Sequence, residues 1–199
     1  TVGTHILRCG DAWDRPFSEN AAEDIAALQT ADFPALSSES ARAISDTILR
    51  AKENRDSVGG ITQTAVCGLP AGVGEPWFDT VESIISHAVF SVGGVKGIEF
   101  GSGFSAAGQH GSSFNDPLRM EGERVVTATN HNGGINGGIT NGMPVVFQCV
   151  VKPTPSIGQI QQTVDFLRGE NAQIGVHGRH DPAIIRRVCP VLDSITALA

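Results

Sequence analysis

Val145-Val146-Phe147-Gln148-Cys149-Val150-Val151 decides the fold class of this 199-residue chain. Its β-branched and aromatic side chains fall on both faces of a two-residue period. That pattern predicts a strand buried within a sheet, and seven residues are far too few for the roughly 20 of a membrane-spanning helix. Just upstream lies His131-Asn132-Gly133-Gly134-Ile135-Asn136-Gly137-Gly138-Ile139-Thr140-Asn141-Gly142, and just downstream Lys152-Pro153-Thr154-Pro155-Ser156. A buried strand with a glycine loop at one end and a proline-locked turn at the other needs a sheet with helices packed on it.

The rest of the chain supplies both. Thr4 to Cys9, Ile61 to Cys67, Val95 to Phe100 and Arg124 to Thr129 read as strands. Ala41, Ile44, Ile48 and Ala51 recur at helical spacing after the cap candidate Ser37, and Asn54 closes that helix. A weaker helix is expected over Ala21 to Leu28. Another should run from Pro76 or Trp77 to Phe90 with Phe78, Val81, Ile84, Ile85, Ala88 and Val89 on one face, ending at Gly93-Gly94. The last begins near Pro182 and turns Ile184, Ile185, Val188, Val191, Leu192 and Ile195 inward. Helices and strands interleave without strict alternation, so the expected class is layered α+β, one domain over 1–199.

Composition narrows the function classes. Hydrophobic residues at 40% and charged residues at 18% describe a globular chain, and a net charge of −7 disfavours nucleic acid and anionic membrane surfaces as partners. The N-terminal residues show no basic-then-apolar pattern, and the four cysteines form no C-x-x-C pair; a cytoplasmic protein with reduced, mostly buried thiols is expected. Neither the cysteines nor His5, His87, His110 and His177 have metal-ligand spacing, so no metal is expected.

Three segments carry candidate chemistry. The glycine loop lacks the Gly-Lys-Ser/Thr ending of a P-loop and the G-x-G-x-x-G spacing of a dinucleotide site. It reads either as backbone brought close to an anion or flat ring, or as a tight structural turn. Lys152 to Ser156 offers an ammonium and hydroxyls on a rigid turn, which suits phosphate, against the plainer reading of a solvated turn. Gly178-Arg179-His180-Asp181-Pro182 places a guanidinium, an imidazole and a carboxylate before a helix; Asp181 reads first as its cap, and otherwise as a group beside a fork-shaped cation for phosphate or carboxylate.

In order along the chain, Asp56 to Gly60, Gly68 to Asp79, Val95 to Gly101, Asn115-Asp116, His131 to Asn141, Lys152 to Ile157 and Gly178 to Pro182 resemble the chorismate synthase family. The resemblance implies a β-α-β sandwich, here incomplete, assembling as a homotetramer. It implies a lyase that removes phosphate and a ring proton from 5-enolpyruvylshikimate 3-phosphate by anti-1,4-elimination, the last step of the shikimate pathway in aromatic amino acid biosynthesis. Reduced FMN is required without net redox change, and NADPH serves as reductant in some members. Carried over by motif, Gly93, Gly94, Gly137, Lys152, Pro153, Thr154, Pro155, Ser156 and Arg179 would bind FMN. Arg179 would also touch substrate, and Asp181 would serve the proton balance at the flavin N5. Gly93-Gly94 replaces the commoner Asn-Ala pair, and Pro155 stands where many members have serine. The family's catalytic histidines and arginine-rich substrate motifs match nothing here and belong to its N-terminal region, so the chain alone is expected to turn over no substrate. A non-catalytic FMN- or phosphate-binding module and a structural assembly domain are the other readings.

Overall fold

Val145–Val151 is the fourth strand of a five-stranded antiparallel sheet, hydrogen-bonded on both sides. The computed structural model describes residues 1–178 and 180–199. The first part of the chain forms β1 (Val2–Cys9), β2 (Ala12–Trp13), α1 (Ala21–Thr30), α2 (Ser38–Glu53), β3 (Gly60–Val66), α3 (Val81–Phe90) and β4 (Val95–Phe100). After a 3-10 turn over Gly103–Gly108 come α4 (Gly111–Phe114), β5 (Leu118–Glu121), β6 (Arg124–Thr127), β7 (Ile135–Asn136) and β8 (Ile139–Thr140). The chain ends with β9 (Val145–Val151), β10 (Gln161–Asp165), β11 (Glu170–Ile174) and α5 (Ile185–Leu198).

The sheet runs β2-β1-β3-β9-β4, and β5-β6, β7-β8 and β10-β11 are separate hairpins. Antiparallel pairing puts Val66 opposite Val145, Thr64 opposite Phe147 and Thr62 opposite Cys149. That face packs on Ile44 of α2, Ile85 and Val89 of α3, and Ile185, Val188 and Leu192 of α5, all within one buried cluster. The opposite face carries the smaller cluster of α1, in which Ala21 and Ile25 pack on Ala65, with Val146 at its edge. Farther along β9, Val150 on this second face is left 42% exposed. The layered α+β expectation is correct, but β9 is fully buried on only one face.

The Ser37 cap holds as read, its side chain accepting from the Ser40 N–H at 3.0 Å. Two helix starts fall later than expected. The Thr80 side chain accepts from Ser83 N and opens α3 at Val81, leaving Trp77 and Phe78 in the preceding turn, each more than 80% exposed. A proline at position 76 suits a first turn, but a β-region threonine with a free hydroxyl satisfies the orphan N–H groups better. In α5 the buried stripe is Ile185, Val188, Cys189, Leu192 and Thr196, so Val191 turns outward. The expected strand at Arg124 is the second arm of an exposed hairpin, β5-β6.

Burial pushes the Cys9 thiol up to about 11 and the Cys149 thiol up to about 12, and the cysteines are unpaired, as read. Such thiols are packing groups.

Candidate functional site

Four segments meet where β9 ends. The Lys152 N–H donates to the Gly94 carbonyl at 2.9 Å, joining the proline turn to the glycines that follow α3. Ser57 Oγ donates to the Thr154 carbonyl at 2.6 Å, and the Val58 N–H donates to the Pro182 carbonyl at 2.8 Å. The segment from Asp56 to Gly60 is therefore the hub, holding the Lys152 turn on one side and the approach to α5 on the other. Gly94 lies in the left-handed region (φ 96°) with Ile184 packed where a side chain would be. Of the nine residues carried over as FMN contacts, Gly93, Gly94 and Lys152 through Ser156 occupy this one end of the sheet. Arg179 lies outside the described residues.

Asp181 is not a cap. Helix α5 begins at Ile185 with no side-chain bond to its first N–H groups, and the Asp181 carboxylate is instead paired with Arg187 at 2.8 and 3.2 Å. A plain capping role is thereby excluded, and the partner Arg187, in the first turn of that helix, was not read from sequence. Two polar atoms at this end stay buried without a hydrogen-bond partner among the described residues: Thr154 Oγ1 and His180 Nε2. Burying such groups unpaired costs free energy, and they are what a bound polar ligand would satisfy.

The glycine loop is built differently. Asp116, its side chain only 3% exposed, accepts from the His131 N–H at 2.8 Å, the Thr129 hydroxyl at 2.7 Å, and both the N–H and side-chain amide of Asn132 at 2.9 Å. Burial works against the charge, but these donors prevail and hold the carboxyl below the usual carboxylate range. Because His131 Nδ1 sits 2.9 Å from the Phe114 carbonyl, an acceptor only, that nitrogen carries the ring proton. Gly133 (φ 63°) is jammed between Gly101 and the Val146 carbonyl, with only 2.5 Å to the Gly101 nitrogen from where a Cβ would stand. Asn136-Gly137-Gly138-Ile139 then closes a two-residue hairpin with both glycines at positive φ, the turn class that matches strand twist. The Val81 N–H donates to Gly138 O at 3.0 Å, which docks this hairpin on the start of α3.

Gly137 consequently stands at the opposite end of α3 from Gly94, about 15 Å along a ten-residue helix. Within one chain the loop does not join the Lys152 turn. The sequence reading gave Asp116 no role; its only signal was a lone Asn-Asp pair ahead of a hairpin. Among the described residues no cluster of three or more metal-ligating side chains occurs. Among the described residues no helix is long and apolar enough to cross a membrane.

Comparison with known proteins gives the same answer along the whole chain. The chorismate synthase family model matches residues 1–199. A chorismate synthase of Methanosarcina acetivorans is 41% identical over 200 residues, covering 99% of this chain and 53% of that protein. One from Chitinophaga pinensis is 52% identical over 145 residues, covering 73% of this chain and 43% of its own length. A crystal structure of chorismate synthase superposes with a TM-score of 0.78 at 22% identity, covering 100% of this chain and 55% of that one, which establishes the shared fold. The chain spans about half the length of the relatives it matches. On the match over residues 1–199 and the identity to these relatives, this chain belongs to the chorismate synthase family.

Proposed function

We propose that residues 1–199 act as one domain, contributing the flavin-holding side of a cytoplasmic chorismate synthase. The reaction is anti-1,4-elimination of phosphate from 5-enolpyruvylshikimate 3-phosphate. The observation that carries this reading is the end of β9. There four of the segments meet, those at Gly94, Lys152, Asp56 to Gly60 and Pro182, and two polar side-chain atoms are buried without partners among the described residues.

The residues fit a flavin phosphoester. Lys152 is an exposed ammonium beside two prolines, so it faces an anion with little ordering cost. Thr154 Oγ1 is a donor without an acceptor among the described residues. Gly93 adds backbone with nothing within 4 Å of where a side chain would stand, Gly94 follows it with Ile184 packed close, and Arg179 is assigned to FMN and substrate by motif. Reduced FMN, when bound, supplies a transient electron with no net oxidation, and NADPH is the reductant in some relatives. The chain's own part is to fix that group, exclude water and set protonation. Asp181, steadied by Arg187, takes the proton-holding role at the flavin N5. A pre-oriented polar wall favours the charge that develops as phosphate departs. Gly137, standing the length of α3 away, makes its backbone contact from a neighbouring copy in the homotetramer. Exposed Phe166, Leu167 and Trp77 support such association.

Titration of the purified chain with FMN tests this reading: saturable binding weakened at least tenfold by Lys152→Ala is expected, with no chorismate formed from reduced FMN and substrate. Absence of FMN binding sinks the reading in favour of an assembly domain, and turnover by the chain alone sinks the assignment of the missing chemistry to the rest of the relatives' length.

A further inference from the structure

We propose that residues 15–32, α1 included, form a strap over the second face of the sheet, and that His5, with a proton on each ring nitrogen, is the clasp that holds it shut. When the ring gives up one of those protons, the strap loosens while the sheet stays folded.

His5 is fully buried on β1, against Phe17, with the ring centroids 4.8 Å apart. Its Nδ1 lies 3.1 Å from Asp14 Oδ2, and its Nε2 lies 3.2 Å from Gln63 Oε1. A second donor fixes what each of those atoms is. Gln63 Oε1 also accepts the Phe17 N–H at 2.8 Å, so this end of the amide is oxygen; turned over, its NH2 would meet that N–H donor to donor. Asp14 Oδ2 accepts the Leu36 N–H, and Oδ1 accepts the Arg15 N–H at 3.0 Å. Burial works against charge at Asp14, but His5, the Leu36 N–H and the Ser40 hydroxyl prevail and hold its carboxyl below the usual carboxylate range. Both ring nitrogens therefore face acceptors, and only an imidazolium donates from both. A neutral imidazole would set one bare lone pair against an oxygen in a fully buried site, which costs free energy.

The same bonds define what the clasp holds. Both roots of the strap meet at Asp14, whose N–H donates to Leu7 O at 2.9 Å and whose carboxylate takes the Leu36 N–H, while Phe33 and Ala35 seat the far root in the main core. Between the roots the strap has little apolar hold. Helix α1 buries only Ala21, Asp24 and Ile25, and Asn20 before it makes no side-chain cap bond. Ala21 and Ile25 rest on Ala65, and Ile25 also packs on Gly3, whereas α2, α3 and α5 share one continuous core on the other face. The remaining charges near the ring are already paired. Asp24 of α1 binds Arg15 at 2.6 and 3.1 Å and accepts the Ser18 N–H at 2.7 Å, and α2 brings only the neutral Ser40. Across the sheet the row of His5 and Gln63 continues to Gln148 and Glu99, whose carboxylate takes the Phe104 N–H at 3.0 Å. Among the described residues Asp14 is thus the one carboxylate bonded to the ring, and the clasp closes only while Asp14 is ionised and His5 holds two protons. Its contribution is lost on the acid side as pH falls through the lowered Asp14 value, and on the alkaline side as rising pH removes one ring proton.

The clasp is independent of the flavin reading, and the whole chain without ligand tests it. With its histidines nitrogen-15 labelled, the chain is followed from about pH 5 to about pH 10 by two readouts. Ring nitrogen shifts report the protons on His5, and amide hydrogen exchange, corrected for its intrinsic pH dependence, reports protection of α1 and of β9. Two protonated nitrogens are expected on His5 at the lower end. As one proton leaves, protection of α1 should drop about tenfold or more while that of β9 holds. His5→Leu removes both donors and should leave α1 at the loosened level at every pH. Gln63→Glu keeps the acceptor for the Phe17 N–H and sets a second carboxylate on the ring, so release should move up by about one pH unit or more. Should His5→Leu not fold, Gln63→Glu decides. A singly protonated His5 throughout, with α1 still protected, overturns the proposal. So does a loss of protection shared equally by β9, or a release point that Gln63→Glu leaves unmoved.

Discussion

The two ends of β9 carry the two conspicuous sequence signals, and they use their residues in opposite ways. At the Val145 end the glycine loop is filled with protein: Asp116 meets four donors, Gly133 is pressed against two backbone segments, and Gly138 is docked on α3. At the Lys152 end Thr154 Oγ1 and His180 Nε2 are buried and unpaired among the described residues. Glycine density here marks where backbone approaches backbone; the loop end leaves one buried polar atom unpaired among the described residues, Asn130 Oδ1, and the Lys152 end leaves two without the loop's dense packing. The denser signal is the more structural one.

The sharpest way to break this contrast is inside the loop. Gly133→Ala places a Cβ 2.5 Å from the Gly101 nitrogen at φ 63°, and should cost more than about 4 kcal/mol or prevent folding. Gly137→Ala has nothing within 4 Å to meet and pays only for its left-handed backbone, about 1 kcal/mol. Denaturant unfolding of both variants decides, and similar losses would undo the claim that the loop is jammed rather than merely turned.

Asp116 gives the next effect. Asp116→Ala strands four donors, at a cost of about 3 kcal/mol. Because its carboxyl titrates below the usual value of about 4, its contribution is complete above that pH and is lost as pH falls through the lowered value. Asp116→Asn should accordingly flatten the acid limb of the stability curve below about pH 4 while leaving its neutral part lower. An acid limb as steep as the wild type's would show that Asp116 does not drive the loop's acid sensitivity.

Legibility in the sequence followed the range of the interactions. Ser37, β9 and the inward stripe of α2 were readable because a cap, a two-residue period and a helical period are local patterns. The start of α3 was misplaced because proline and threonine compete for the same turn, and the outcome depends on where the Gly138 hairpin docks. At the site, the segments that meet were known by family resemblance, but their junctions are long-range: Ser57 to Thr154, Val58 to Pro182, Asp181 to Arg187. No spacing rule reports those.

The smallest effect on stability is also the most discriminating between the two ends. Thr154→Val keeps the shape of the side chain and removes a hydroxyl that has no partner among the described residues, so melting should change by no more than about 0.5 kcal/mol, or rise. The same change at a hydroxyl of the loop end behaves otherwise: Thr129 donates to Asp116 at 2.7 Å, and Thr129→Val should lose about 1 kcal/mol. Ligand affinity should reverse that order. FMN binding should fall about tenfold in Thr154→Val, the worth of one hydrogen bond to a charged group, and stay level in Thr129→Val. If instead Thr154→Val costs stability and spares FMN, the hydroxyl has a partner in the protein, and the Lys152 turn is the solvated turn that its sequence alone would equally allow.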